Sequence, residues 1–201
     1  MKFFPVLLGS YLIGSIPFSY LFPKLKGHDP RGGGTGNVGA TNSLIVAGPL
    51  AGVLALIGDI AKGFLAVQLA RYFNFSDAGI ALCGLAVILG HDFSVFLRFS
   101  GGKGVAATTG VMLALNPFFT LILILLWALC LIIFRRFIPS TVAVLCFMPL
   151  LMWLTSWRAE FIAFGAAAAL LSVYTHRLDL QRFLRGEELT IQQSFAKYLK
   201  K

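Results

Sequence analysis

The chain has 201 residues, of which 58% are hydrophobic and only 12% are charged, and its mean hydropathy is +0.83. Soluble domains carry about a quarter charged residues, so this composition excludes an ordinary soluble enzyme and indicates an integral membrane protein. In a membrane protein, the net charge of +9 indicates basic residues that set the orientation of the chain and contact anionic lipid, rather than a nucleic-acid-binding surface.

Seven apolar stretches predict an all-α integral membrane protein with seven transmembrane helices in a single domain, residues 1–201. Apolar runs recur to the end of the chain, so we interpret the first as a span and not as a cleaved signal. The fourth helix is short for a crossing, and Asn116-Pro117 separates it from the fifth because proline ends or kinks a helix. The predicted spans are 4–23, 43–70, 78–97, 104–116, 117–134, 138–155 and 159–175.

The positive residues predict the orientation. With the N-terminus outside and the C-terminus cytoplasmic, 13 of the 17 Lys and Arg residues fall on the cytoplasmic side. Only Lys2, Arg71 and Arg158 fall on the other face, and Lys62 lies inside the second span. Such a bias is typical of the positive-inside rule, and it requires an odd number of crossings.

The first polar stretch, "GGGTGNVGATN" at residues 32–42, lies on the cytoplasmic side between the first two spans. It combines flexible glycines with hydroxyl and amide side chains, a composition that suits phosphate ligands. Its candidate binding residues are Thr35, Gly36, Asn37, Gly39, Thr41 and Asn42.

The second stretch, "GHDFSVFLRFSGGKGVAATTG" at residues 90–110, opens into the short fourth helix. Gly101, Gly102 and Gly104 let an anion approach the backbone, and Lys103 adds a full charge next to a helix N-terminus. A nucleotide-binding P-loop is excluded, because Gly104 and Leu97 stand where that motif needs Ser or Thr and Gly. The alternative interpretation is a flexible connector with one snorkelling lysine.

The third stretch, "THRLDLQRFLRGEE" at residues 175–188, follows the last span and spaces His176, Asp179 and Arg182 three apart. If the helix continues, these side chains form a row on one face. The alternative for His176 is an ordinary interfacial residue. The tail from Thr190 to Lys201 predicts a basic helix lying on the lipid surface.

The second span carries Asp59 and Lys62, three residues apart. Charges at this depth are rare and are paired or functional, and we favour a mutually neutralising structural pair over direct chemistry. Cys83, Cys130 and Cys146 lie in apolar runs at unrelated spacings, and no metal-binding motif appears, so we predict neither a metal nor a cofactor.

These motifs closely resemble those of the bacterial membrane glycerol-3-phosphate acyltransferases that use acyl phosphate as donor. "GTGNVGATN", "GHDFSVFLRFSGGKGVA" and "THRLDLQRFLRGEE" match the family's three motifs in order, and Asp59, Lys62 and Gly63 match a further element. The resemblance implies a seven-helix enzyme of the bacterial cytoplasmic (inner) membrane, with its active site facing the cytoplasm. It implies acyl transfer from acyl phosphate to the 1-hydroxyl of glycerol 3-phosphate, giving lysophosphatidic acid and phosphate in the first step of phospholipid synthesis.

Roles for particular residues follow from the same resemblance. Lys103 and the amides of Gly101–Gly104 would hold phosphate and stabilise the departing charge, and the 35–42 segment would form the opposite wall. His176 would lie near the acceptor hydroxyl, as base or as orienting group, together with Asp179 and Arg182. Membrane lipids are the other expected partners.

Two departures from the family pattern keep other functions open. Ile45 stands where the family usually has Arg, and Asp179 stands where it usually has Asn. A paralogue with an altered acceptor or lost activity is therefore the first alternative. A small transporter for a phosphorylated solute is the second, since the broken fourth helix and the intramembrane charges would also suit alternating access.

Overall fold

The computed structural model describes residues 2–188 and Gln193, and in that part of the chain it contains ten α-helices and no strands. A 3₁₀ turn, Val95–Leu97, follows α5. The tail prediction for Thr190 to Lys201 lies outside the described residues, apart from Gln193. The helices are α1 Phe3–Ser15, α2 Phe18–Leu25, α3 Ala40–Ala47, α4 Pro49–Tyr72, α5 Asp77–Asp92, α6 Val105–Leu115, α7 Pro117–Phe134, α8 Phe137–Leu154, α9 Ala159–Thr175 and α10 Arg177–Leu184.

The chain divides into two compact units, Met1–Asn116 and Pro117–Lys201. In the first unit, α1 packs on α5 and α4 packs on α6. Both pairs approach closely at glycines: a Cβ on Gly90 would overlap the Tyr11 carbonyl, and a Cβ on Gly63 would overlap the Ala107 carbonyl. Small residues allow membrane helices to come this close. Close packing matters there because the hydrophobic effect does not drive helices together in lipid.

Two of the predicted spans are interrupted. The first is divided between α1 and α2 at Ile16 and Pro17, although Phe3–Leu25 still forms one apolar stretch long enough to cross a bilayer. The second does not begin at residue 43, because Gly48 has a φ of 85° and Pro49 starts the long helix α4. Residues 43–47 therefore belong to α3 and not to the span.

The second unit contains α7 to α10. Its α8 packs on α9, and the indole nitrogen of Trp127 donates a 3.0 Å hydrogen bond to the hydroxyl of Thr141, joining α7 to α8. The chain turns by 63° between α9 and α10. Helix α10 therefore continues the chain in a new direction, and it buries none of its residues.

Among the described residues, five helical stretches are long and apolar enough to cross a membrane, or six if the bent α9 and α10 pair forms one span. The 11 residues of α6 extend about 16 Å at 1.5 Å per residue, roughly half of a bilayer core of about 30 Å. The short fourth helix is thus present at the predicted place. Seven crossings, their orientation and the single domain over residues 1–201 stay predictions.

Candidate active site

The first glycine-rich segment, which we call loop A (residues 26–39), is folded around the side chain of Asn42. The Asn42 Nδ2 lies 2.6 Å from the carbonyl oxygen of Pro30, 3.2 Å from that of Gly33 and 2.8 Å from that of Asn37. Its Oδ1 accepts a 2.7 Å hydrogen bond from the Thr35 amide. A buried amide on α3 therefore braces a loop that has no regular structure of its own.

This arrangement gives Asn42 a structural role that the sequence did not predict. The side chain is 1% exposed, and both hydrogens of its amide are engaged by backbone carbonyls, so it shapes loop A. Its contact with substrate stays a prediction. Thr35, Gly36 and Thr41 are exposed, whereas Asn37 and Gly39 are half-buried. These five residues keep surface that a ligand can reach, and their contact with substrate stays a prediction.

The second glycine-rich segment, loop B (residues 93–104), has an unusual backbone. Arg98 and Phe99 both have left-handed φ angles, 54° and 61°, a conformation that costs side-chain-bearing residues about 1 kcal/mol or more. The Gly101 amide donates to the Asp92 carbonyl at 2.9 Å, and the Gly102 amide donates to the His91 carbonyl at 3.0 Å. The loop thus turns back onto the end of α5.

These hydrogen bonds revise the expected phosphate contacts of loop B. The amides of Gly101 and Gly102 are used inside the protein, so they do not point at a ligand in this conformation. Gly104, with a φ of 74°, precedes α6, and a Cβ there would lie 3.0 Å from the Asp92 carboxyl. That carboxyl occupies the position where the positive end of the α6 dipole attracts negative charge. Lys103, the other residue of loop B predicted to bind phosphate, is half-buried, and its contact with phosphate stays a prediction.

Loops A and B meet at Gly102. A Cβ on this glycine would overlap the imidazole Nε2 of His91 on one side and would lie 2.7 Å from the Val38 carbonyl of loop A on the other. Only glycine fits between these two groups. The two motifs, separated by about 60 residues in the sequence, therefore form one surface feature of the first unit.

Beneath this junction lies a cluster of buried charges. Lys62 Nζ is 2.8 Å from Asp59 Oδ1, and the two side chains are 2% and 1% exposed. The predicted pairing of these residues is confirmed. Ser19 donates to Asp59 Oδ2 at 2.6 Å, and Lys62 also donates to the Ile16 carbonyl at 3.0 Å.

His91, which the sequence analysis did not select, joins this cluster. Its Nδ1 lies 3.4 Å from Asp59 Oδ1, and the residue is 7% exposed. The only signal in the sequence was its place at the start of the second motif, because the contact with Asp59 spans 32 residues. A small recess of about 10 Å³ adjoins the cluster. Its walls are Pro17, Ser19, Val38, Asp59, Lys62, His91, Leu97, Gly101 and Gly102.

Loop A also carries an exposed charge cluster. Arg31 lies 2.7 Å from Asp29 Oδ2 and stacks on the Tyr20 ring with its guanidinium carbon 4.8 Å from the centroid. Hydrogen bonds from the Arg31 side chain and backbone hold the pKa of the Asp29 carboxyl well below its ordinary value. Lys24 adds a weaker attraction at 3.6 Å, so this part of the surface stays ionised over the physiological range.

The remaining predicted residues belong to the second unit. His176 stands at the bend between α9 and α10, is 2% exposed, and has its Nδ1 2.9 Å from the Ser172 carbonyl. A carbonyl only accepts hydrogen bonds, so Nδ1 carries a proton, and in the neutral form of the ring Nε2 is the acceptor nitrogen. This tautomer suits a base as well as an orienting group.

Asp179 and Arg182 both lie on α10, the first half-buried and the second exposed. Because the chain bends at His176, the expected continuous helix is broken there, and only Asp179 and Arg182 share one helix. The carboxylate of Asp179 falls in the first turn of α10, where the helix dipole favours negative charge. In the described residues, no group of three or more His, Cys, Asp and Glu side chains is placed to hold a metal ion.

The motifs and their arrangement agree with a comparison against known families. The family model described as glycerol-3-phosphate acyltransferase matches residues 4–186. The chain belongs to the glycerol-3-phosphate acyltransferase family. The match includes loops A and B, the buried ion pair and the bend at His176.

Similar members of the glycerol-3-phosphate acyltransferase family occur in distant bacteria. A protein of that name from Geotalea daltonii is 37% identical over 183 residues, covering 91% of this chain and 94% of the relative. Another from Bordetella pertussis is 41% identical over 192 residues, covering 90% of this chain and 88% of the relative. Sequence identity at this level over nearly the whole chain indicates a shared fold.

A similar solved structure is a crystal structure of PlsY (YgiH), an integral membrane glycerol 3-phosphate acyltransferase, in its glycerol 3-phosphate form. It superposes with a TM-score of 0.92 at 31% identity and covers 100% of both chains. The lysophosphatidic acid form of the same protein superposes with a TM-score of 0.87 at 31% identity, covering 97% of this chain and 99% of that one. The chain therefore has the fold of an integral membrane acyltransferase.

Proposed function

We propose that this protein transfers a fatty acyl group from acyl phosphate to the 1-hydroxyl of glycerol 3-phosphate, releasing lysophosphatidic acid and phosphate. The observation that carries the proposal is the junction of loops A and B at Gly102, one residue before Lys103. The family match over residues 4–186 and the glycerol 3-phosphate and lysophosphatidic acid forms of the PlsY structure support the acceptor and the product.

The reaction needs charge stabilisation more than it needs a strong nucleophile. The acceptor oxygen attacks the carbonyl carbon of a mixed anhydride, a C–O bond forms, and the bond from that carbon to the phosphate oxygen breaks. Negative charge moves onto the leaving phosphate, where the Lys103 ammonium would stabilise it. The proton of the hydroxyl passes to Nε2 of His176 or to the departing phosphate.

The surface formed by loop A and the start of α3, where Thr41 lies, suits the acceptor and the donor phosphate alike. Thr35 and Thr41 present exposed hydroxyls, and Asn37 and Gly39 present partly exposed polar groups. Asp179 and Arg182 of α10 are proposed to contact the acceptor. Asn42 acts through the shape of the loop, because its own polar groups are already engaged.

Donor specificity is tested by supplying different activated acyl groups to the purified protein in lipid. With radiolabelled glycerol 3-phosphate, palmitoyl phosphate should give labelled lysophosphatidic acid, whereas palmitoyl coenzyme A at the same concentration should give none. If only palmitoyl coenzyme A gave labelled lysophosphatidic acid, the proposed donor would be refuted, although the protein would still be an acyltransferase.

An altered acceptor is the second candidate, and Ile45 is the observation that favours it. A Cβ on Gly34 would lie 2.9 Å from the Ile45 Cγ2, so an apolar side chain packs beside loop A where the family usually has Arg. A comparison of glycerol 3-phosphate with glycerol and other phosphorylated polyols as acceptors separates the two candidates. Restoration of charge by Ile45→Arg should raise the apparent affinity for a phosphorylated acceptor.

Orientation is proposed as N-terminus outside and C-terminus cytoplasmic, in the bacterial inner membrane. Loops A and B would then face the cytoplasm. Single cysteines introduced at Gly32 and at Asn74 should react with a membrane-impermeant maleimide from opposite sides, Gly32 only after the cells are opened. Labelling of Gly32→Cys in intact cells would contradict this orientation.

A further inference from the structure

We propose that Asp59 is a positioning residue for loop B. Through its contact with the His91 imidazole it fixes the position of Lys103, the residue proposed to contact phosphate. The statement about phosphate rests on the proposed function, and the statement about loop position does not. Asp59 is a buried carboxylate in the middle of α4.

The buried cluster makes more contacts than charge neutralisation requires. Lys62 is already balanced by the 2.8 Å ion pair with Asp59 and by the Ile16 carbonyl. Ser19 satisfies the second oxygen of Asp59. The other oxygen, Oδ1, has no hydrogen bond of good geometry from the described residues, and it faces both the Lys62 ammonium and, at 3.4 Å, the Nδ1 of His91 on α5.

His91 connects the cluster to loop B by its ring and by its backbone. With Nδ1 facing the carboxylate, the opposite nitrogen Nε2 faces Gly102, where an added Cβ would overlap it. The carbonyl of the same residue accepts the hydrogen bond from the Gly102 amide. Loop B therefore rests directly on a residue whose ring lies between Gly102 and the Asp59 carboxylate.

Gly102 is tightly packed on both sides. The Val38 carbonyl closes the other side of this glycine, so a rotated imidazole would displace the Gly101–Gly102 turn or push it against loop A. Lys103 follows that turn immediately. A change in the Asp59 contact would thus reach Lys103 through two tightly packed groups and would not require the whole bundle to unfold.

The first arm of the test follows loop B without using activity. The double variant Asp59→Leu/Lys62→Met removes both charges together, because loss of one alone would leave the other buried and unpaired. Amide deuterium exchange in peptides covering residues 98–104 should accelerate about tenfold as the Gly101 and Gly102 hydrogen bonds open more often. His91→Phe, which keeps a ring but loses the contact with Asp59, should give the same acceleration.

The matched control is Arg71→Met on the same helix. Arg71 donates a 2.7 Å hydrogen bond to the Ala114 carbonyl of α6, about 18 Å along α4 from Asp59 by helix geometry. This variant removes a polar contact between helices and should leave exchange in residues 98–104 unchanged. Unchanged exchange in both Asp59→Leu/Lys62→Met and His91→Phe would overturn the proposal.

The second arm is a double-mutant cycle on kcat/KM with Lys103→Ala. If Asp59 acts through loop B, the loss caused by His91→Phe should nearly vanish in the Lys103→Ala background, because the group being positioned is absent. A purely structural role predicts the same fold-loss in both backgrounds, and that result would overturn the proposal. If the wild-type protein were inactive but deuterium exchange in loop B still accelerated in the Asp59 and His91 variants, the proposed function would be refuted and the positioning role supported.

Discussion

Replacement of Asn42 should destabilise the protein more than the loss of one small side chain normally does. Asn42→Ala removes the Nδ2 contacts with the carbonyls of Pro30, Gly33 and Asn37 and the Oδ1 contact with the Thr35 amide. At about 0.5–1.5 kcal/mol for each net hydrogen bond, the four contacts together amount to about 2–6 kcal/mol. Asn42→Asp should be as harmful, because it turns an oxygen towards three carbonyl oxygens.

The assay is thermal unfolding in detergent, followed by intrinsic tryptophan fluorescence, together with acyl transfer by the variant that remains folded. Ser43→Ala is the matched neighbour: it loses hydrogen bonds to the Ser19 and Gly39 carbonyls and should cost about 1–2 kcal/mol. The bracing role of Asn42 would be refuted if both of its variants unfolded at the wild-type temperature. It would also be refuted if they lost no more stability than Ser43→Ala.

Three further predictions follow from other contacts. Gly63→Val should lower the stability by about 1–3 kcal/mol, measured by the same unfolding assay, since its side chain would overlap the Ala107 carbonyl; wild-type stability would contradict this packing. The Asp29 carboxyl, whose pKa is lowered by Arg31 from an ordinary 3.8, adds stability above about pH 4 that is lost as the pH falls through the lowered pKa. Carboxyl-carbon NMR should show that pKa returning towards 3.8 in Arg31→Ala, and no change would disprove the hydrogen bonds as its cause. His176→Ala should reduce kcat by about 10²–10⁴-fold if the ring acts as a base, and a loss below threefold would restrict it to orienting the substrate.

The helices were predictable because hydropathy and the positions of helix-ending residues can be read directly from the local sequence. The stretches 117–134 and 138–155 match α7 and α8 within a residue, as each lies between Pro or Arg residues that mark its ends. The predicted first span agrees with the apolar stretch Phe3–Leu25, although it is bent at Ile16 and Pro17. The second span was predicted to begin too early, because apolar composition continues across Gly48. Pro17 and Gly48 both carry a local signal for a break, and the apolar residues around them masked it.

The site was predictable only where neighbours in sequence interact. Asp59 and Lys62 are one helical turn apart, so their ion pair followed from spacing. The bracing role of Asn42 and the place of His91 depend on contacts between separate elements, which no periodicity encodes. A polar residue beside a glycine-rich loop is therefore compatible with a ligand contact or with an internal brace until the loop's own hydrogen bonds are known.

The most direct measurement is phosphate release from palmitoyl phosphate by the purified protein in lipid, with and without glycerol 3-phosphate, for wild type and Lys103→Ala. The proposed function predicts release that requires the acceptor and that falls sharply in Lys103→Ala while the variant unfolds at the wild-type temperature. Folded wild-type protein that releases no phosphate with glycerol 3-phosphate, or releases it equally well without Lys103, would contradict the account.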